Sequence, residues 1–448
     1  MLLALAASPA PAVPPWQPAD AELAVVPDGD RWVRPRRSRA FHLDHGTLRD
    51  TLSRAPREFT PAAALPVEVS LPMPDGTQAR FRVCESPVMA PELAAKFPEI
   101  KTYRGQGIDD PSATVRFDTT PSGLHAQILS PGGAVYIDPA RRGDARLHVS
   151  YYKRDFSRDM TGFNCLTEPA GPLGFQPAAG TGMVRSGGSL RTYRLAVAAT
   201  GEYTQFHGGT IAAGLAAVVT AINRVDGIYE TELAIRLVLV ANNNLLIFTN
   251  AATDPYSNAN PNSLLSQNQS TVDAVIGDAN YDVAHVFSTG GGGLSRLAVV
   301  CIETYKAQSE TGLPSPVGDP FVVDFVAHEI GHEFGANHTY NGVGGNCGGQ
   351  LNGPTAYEPG SGSTIMAYAG ICAADDLQPH TDAYFHSASV EEIQYYTTVN
   401  FGKDCAVITP TGNAAPNVDA GPDVAIPKGT PFTLTATGDD PNGDTLTY

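Results

Sequence analysis

The 448-residue chain contains no run of about 18 apolar residues, so no stretch of it reads as a membrane span. Basic side chains are few, 29 Lys and Arg against 46 Asp and Glu, for a net charge of −17. That balance argues against a phosphate backbone or an anionic membrane as partner, and no basic patch with interleaved aromatics marks a nucleic-acid surface. The six cysteines include no CxxC pair, which disfavours a cysteine zinc site. Their even number fits a few disulfides in an exported protein, with buried free thiols as the plainer alternative. No Gly-Lys-Ser/Thr follows the glycines at 290–293, so they are not a phosphate loop.

What is present falls into blocks. Residues 1–16, opening "MLLALAASPAPA", read as the end of a secretory signal lacking its basic start, or as an Ala/Pro leader. Residues 17–167 are β-rich. "LPVEVSLPMPDGTQARFRV" alternates about a Pro74–Gly76 turn, and "ATVRF", "LHAQIL" and "AVYI" continue as a meander. Residues 168–189 are rich in Gly, Pro and Ala and read as an exposed linker, with Arg185 a cleavage position.

From 190 to 408 the pattern alternates between strand and helix, which predicts an α/β (α+β) domain with a mixed twisted sheet. "RTYRLAVAAT" is a strand, and Ile211–Asp226 a helix with Ile211, Leu215, Val218, Ile222 and Val225 on one face. "LAIRLVLV" is apolar almost throughout and reads as a central strand. A helix over Thr271–Ile276, the strand "YDVAHVFS" and a helix over Ser387–Thr398 follow. Residues 409–448 read as a linker and the start of a β-sandwich that stops partway. There Asp439, Asp440, Asn442 and Asp444 give either a Ca²⁺ site or a solvated turn.

The chemistry concentrates in "DPFVVDFVAHEIGHEFGANHTYNG", residues 319–342. Asp319 and Pro320 suit a helix start, with the Asp319 carboxylate as N-cap. His328 and His332, four apart, project from one helical face and reach a single Zn²⁺, while Glu329 beside them can take a proton from water. Gly335 in a left-handed conformation ends the helix and turns the chain back, so that His338 becomes a third ligand. HExxHxxGxxH arises by chance in about one chain in ten thousand of this composition.

"HEIGHEFGANH" resembles the zinc motif of metzincin metallopeptidases, and "GSGSTIMAYAG" supplies the methionine turn that the family places downstream. The resemblance runs from about Arg191 to Cys405 and is greatest to bacterial reprolysin-like (adamalysin-like) enzymes. Thr339 stands where adamalysins have an aspartate, and "HTYNGVGGNC" is similar to the pappalysin pattern. The C-terminal block resembles the start of a module of the polycystic-kidney-disease or cadherin type.

The resemblance implies a secreted zinc endopeptidase, made as a zymogen with a propeptide reaching to about residue 185 and acting on protein or peptide substrates. Met366 would lie beneath the metal. Tyr368 would reach the metal or the transition state, or else pack in the turn. The strand and loop Val286–Gly293 would offer an edge to an extended substrate. Cys84 and Cys165 are the candidates for a latency thiol, or pair with each other. Cys347 with Cys372 and Cys301 with Cys405 are the expected disulfides. His285 reads as structural, and His380 and His386 as surface-loop residues. Two rival functions remain: an inactive zinc-containing adhesin, and a purely structural zinc site.

Overall fold

Alternation in the first block becomes one large sheet. The computed structural model describes residues 15–156, 165–168 (backbone only), 187–444 and 446, so residues 1–14 of the leader and Arg185 lie outside the described residues, while Trp16, placed in the leader from the sequence, belongs to the first sheet. Strands Val67–Pro72, Gln78–Glu85, Lys101–Gly107, Thr114–Thr120, Gly123–Leu129, Val135–Arg141 and Asp144–Tyr152 form an antiparallel meander. Arg39–Leu43 and then Trp16–Pro18 extend it beyond the last strand. Gly76, at φ 91°, closes the hairpin read from the sequence. One side-chain set of the meander, including Val69, Leu71, Phe81, Val115, Phe117 and Ile128, forms a buried core.

The second block is a mixed sheet. Ser189–Ala199 pairs in parallel with both Ile235–Leu239 and Val283–Ser288, and the latter pairs in parallel with Ser309–Gly312. Gly292–Arg296 runs antiparallel to Ser309–Gly312. Outside it, the backbone of Cys165–Glu168 adds a parallel strand, so Gly292–Arg296 is covered on its open side.

Three elements depart from the sequence reading. "LAIRLVLV" is not central: Ile235–Leu239 ends the sheet, and its outer edge bonds to Val88–Ala90 of the first block. It is apolar because both faces are covered, with Leu237 and Leu239 fully buried. The helix from Ile211 continues past Asp226 to Leu233. At Gly227 an added Cβ would come 2.5 Å from Arg116 Cγ, so glycine there admits a side chain of the first block. This helix has the length and composition to cross a membrane, yet 67% of its apolar window is buried within the fold. The next helix begins at Pro261 rather than Thr271, capped by Asn260. Its buried face is partly polar, with Asn268 donating to Ala307 O at 2.8 Å, which hides the apolar period.

The two blocks exchange buried charges. Arg116 of the first meets Asp226 (3.3 Å) and Glu230 of the long helix. Arg236 reaches back to Glu58 and also meets Glu230 at 3.2 Å. Arg224 bonds Asp138 at 2.7 Å, and Lys153 sits between Asp319 (2.9 Å) and Asp324 (3.0 Å). Val88, Met89, Leu93 and Ile100 enter the core of the second block. Removing one partner of a buried pair strands the other charge, which costs about 3–5 kcal/mol. Arg224→Met is therefore expected to destabilise the chain by about that amount, read from the urea midpoint; a loss below about 1 kcal/mol would contradict this ion-pair account.

Candidate metal centre

The motif helix does not start with the expected cap. Val317 occupies the N-cap position without a side-chain bond, and Asp319 turns instead toward Lys153. Gly318–Phe321 is α-helical, Val322–Val326 widens into a π turn, and Ala327–Glu333 resumes the α-helix. The π turn carries Asp324 inward, where it also accepts from Thr381 N (3.1 Å) and meets His380 Nδ1 (3.2 Å). Phe321, Phe325, Ile330 and Phe334 face the core.

Gly335, at φ 95°, ends the helix, and its N–H bonds His332 O at 2.9 Å. The turn returns His338 to the two helical histidines. Their three Nε2 atoms form a near-equilateral triangle: 3.1 Å from His328 to His332, 3.1 Å from His332 to His338 and 3.3 Å from His328 to His338. Each Nδ1 lies against a carbonyl: His328 on Ile365 O (2.6 Å), His332 on Ala336 O (2.7 Å), His338 on Gln350 O (2.8 Å). A carbonyl only accepts, so each Nδ1 carries the proton and each Nε2 presents a lone pair. Burial keeps the rings neutral, lowering His328 to about 4 and His338 to about 3 and depressing His332 with help from its two neighbours. Three facing lone pairs repel unless a cation lies between them. Tetrahedral zinc at about 2.0–2.1 Å from each nitrogen places the nitrogens about 3.3 Å apart, close to the triangle found. The donor set fits zinc.

Around the triangle, Met366 is fully buried, and a Cβ at Gly331 would come 2.5 Å from its sulfur, so the methionine packs directly on the turn between the two helical histidines. The Tyr368 ring lies 4.6 Å from that of His338 and 4.4 Å from that of Tyr340. Thr339 donates to Glu358 Oε1 at 2.6 Å, and Glu358 also holds Ser363 N, Thr364 N and Thr364 Oγ1. Glu358 thus ties the chain after His338 to the chain before Met366, a bond the sequence did not disclose. Cys347–Cys372 brackets this segment, and Cys301–Cys405 ties the chain after the last helix to a turn between the strands Gly292–Arg296 and Ser309–Gly312.

Glu329 is buried on the strand Gly292–Arg296. Ser295 Oγ donates to its Oε2 at 2.8 Å, and a Cβ at Gly293 would fall 2.0 Å from its Oε1. Of the expected substrate edge, only Gly292 and Gly293 lie on this outer strand; Val283–Ser288 is interior. His380 is not on a surface loop but buried, bonding Phe156 O at 2.6 Å across the contact between blocks. His386 caps the last helix, accepting from Ala388 N, and stacks on Tyr357. Cys84 lies in the first sheet as a free cysteine with its thiol on Ala63 O. At the C-terminus, Asp440 Oδ1 accepts from Asn442 N and Asp444 N in an exposed turn, an arrangement that needs no Ca²⁺.

Glu392, also missed, reaches from the last helix to the turn that delivers His338, accepting from Asn337 N and Nδ2 at 2.7 Å each. Burial pushes its carboxyl up to about 7 despite these bonds. A carboxyl whose pKa rises on folding contributes fully below its unfolded value and loses that contribution as pH climbs through the folded one. In chelator, the stability of the native chain relative to Glu392→Gln is therefore expected to fall by about 3 kcal/mol between pH 5 and 8. A gap in urea-unfolding free energy that stays constant over this range would refute the shift.

Residues 189–396 match the model of the metallo-peptidase family M12B, reprolysin-like. Among solved structures the chain is similar to metalloproteinase-II from Bacteroides fragilis, at 10% identity and a TM-score of 0.46, over 79% of this chain and 96% of that one. No curated protein matches the sequence. Residues 189–396 thus form a metallopeptidase domain of the M12B reprolysin-like family, and the chain is a zinc metalloendopeptidase.

Proposed function

We propose that the chain is a secreted endopeptidase made in latent form, with His328, His332 and His338 holding zinc and Glu329 as general base. The observation that carries this reading is the triangle of Nε2 lone pairs with every Nδ1–H tied to a carbonyl. Bound zinc polarises a scissile carbonyl and makes a water acidic enough to attack at neutral pH. Glu329 takes the proton released in that attack and returns it to the leaving amine. Met366 supports the histidines from below. The Tyr368 ring packs against His338, and in this reading its hydroxyl serves the developing oxyanion. An extended substrate pairs with Gly292–Arg296 by β-augmentation.

Latency follows from who occupies that strand. Residues 165–168, just ahead of the linker, pair with it in parallel, Cys165 opposite Gly293 and Leu166 opposite Leu294. Gly293 is the residue on which Glu329 rests, so this segment and a substrate compete for one edge. Cys165 is accordingly the latency thiol of our reading and Cys84 is not. The two disulfides agree with an extracellular setting.

Glu329→Ala is expected to lower peptide cleavage by at least about a hundredfold while zinc stays stoichiometric by elemental analysis. Cleavage at the native rate would remove the base. Limited proteolysis within residues 169–186 is expected to raise activity on a quenched peptide. Cys165→Ala should raise the activity of the uncut chain, whereas Cys84→Ala should not. Equal latency of the native chain and Cys165→Ala would eliminate the thiol from the mechanism.

A further inference from the structure

Behind Glu329 lies a buried polar chain that catalysis by the motif alone does not require. Ser295 Oγ, which donates to Glu329 Oε2, is 2.5 Å from Ser309 Oγ on the neighbouring strand, where the two serines are direct cross-strand partners. Ser309 Oγ is 2.9 Å from His285 Nδ1, one strand further in. His285 Nδ1 also meets Glu333 Oε1 at 3.1 Å, and its Nε2 meets Thr311 Oγ1 at 2.9 Å. Ser295, Ser309, His285, Thr311, Glu329 and Glu333 are all fully buried. The chain starts and ends on the motif helix, at glutamates four residues apart on one face, and crosses three strands between them.

One proton order satisfies its members. Thr311 donates to His285 Nε2, His285 Nδ1–H points to Glu333 and Ser309, Ser309 donates to Ser295, and Ser295 donates to Glu329. Burial keeps His285 a neutral imidazole, lowered to about 3, so it has one such proton to give. In that order the hydroxyl dipoles all point toward Glu329 Oε2, and polarised hydrogen-bond chains strengthen one another in a dry interior. Gly293, two residues before Ser295 and so on the same face of the strand, leaves the room in which the carboxylate lies.

We propose that Ser295 is a positioning residue for this peptidase, fixing Glu329 Oε2 through the Ser295–Ser309–His285 chain so that protons are exchanged at Oε1. The proposal rests on the reading of Glu329 as general base.

The test is steady-state cleavage of a quenched peptide by the full chain after limited tryptic nicking of residues 169–186, with zinc content and thermal midpoint measured on the same samples. Ser295→Ala is expected to lower kcat roughly 10- to 100-fold with KM nearly unchanged and zinc retained. Ser295→Thr, which keeps the hydroxyl, restores most of kcat. Ser309→Ala gives a smaller loss, and Ser295→Ala with Ser309→Ala loses no more than Ser295→Ala alone, because Ser309 acts through Ser295. A kcat for Ser295→Ala within about threefold of native, loss of zinc in that variant, or losses that add in the double variant would each overturn the proposal. Should Ser295→Ala not fold, Ser309→Ala decides alone: a lower kcat at unchanged KM supports the chain, and native kcat refutes it. An active Glu329→Ala protein would instead dismiss the base itself. A dead Glu329→Ala beside a fully active Ser295→Ala dismisses only the positioning role.

Discussion

Three imidazole nitrogens with unshared pairs, held 3.1 to 3.3 Å apart inside a protein, are an arrangement that only a cation stabilises. Much of the surrounding chain makes that arrangement obligatory. Carbonyls at Ile365, Ala336 and Gln350 fix each ring's tautomer and orientation, and two of them come from beyond the motif. Glycine at 331 lets the Met366 sulfur approach the helix, and glycine at 335 permits the positive φ that brings His338 back. Glu358 and Glu392 hold the two sides of the returning chain. The helix itself is fixed at its far end, where Ala298 N and Val299 N take the carbonyls of His332 and Glu333.

The parts of this centre that could be read in advance are those in which chemistry depends on local spacing. His328, Glu329, His332, Gly335 and His338 lie within 11 residues, and helical geometry turns their intervals into positions. The groups that orient them could not be read so, because their relation to the motif exists only after folding. Ser295 and Ser309 look like ordinary strand serines until register sets them opposite each other beneath Glu329. The polar face of the helix Pro261–Val275 obscured its start for a related reason: Asn268 and Gln269 are buried and bonded rather than solvated. "LAIRLVLV" shows the opposite failure. Its apolar pattern reported burial faithfully, but the cover on its edge comes from Val88–Ala90, residues of another block, which a local pattern cannot distinguish from a neighbouring strand.

The contact between the blocks differs in kind from either core. Its charges are shared in both directions, with Arg116 and Lys153 donated by the first block and Arg224 and Arg236 by the second. Buried pairs of this sort add little net stability, since desolvation offsets most of the attraction, yet they penalise any misfit severely. Such a surface selects one docking geometry without welding the parts together. Once separated, each carboxylate and guanidinium regains water, which a contact built only from apolar side chains could not offer.

In the function proposed above, latency and catalysis would meet on a single strand. Gly292–Arg296 presents one face to the motif helix, where Gly293 and Ser295 receive Glu329, and one open edge to whatever extended chain pairs with it. Side chains on a strand alternate in direction while backbone bonds lie in the sheet plane, so the two uses do not interfere sterically. They would interfere through occupancy of the edge, to which the proposal adds the Cys165 thiol. In that proposal, a segment paired at Gly293 would keep a substrate from the place where its scissile bond would face Glu329. Under the latency proposed above, the centre would stay fully assembled, and activation would require release of the covering strand rather than construction of the site.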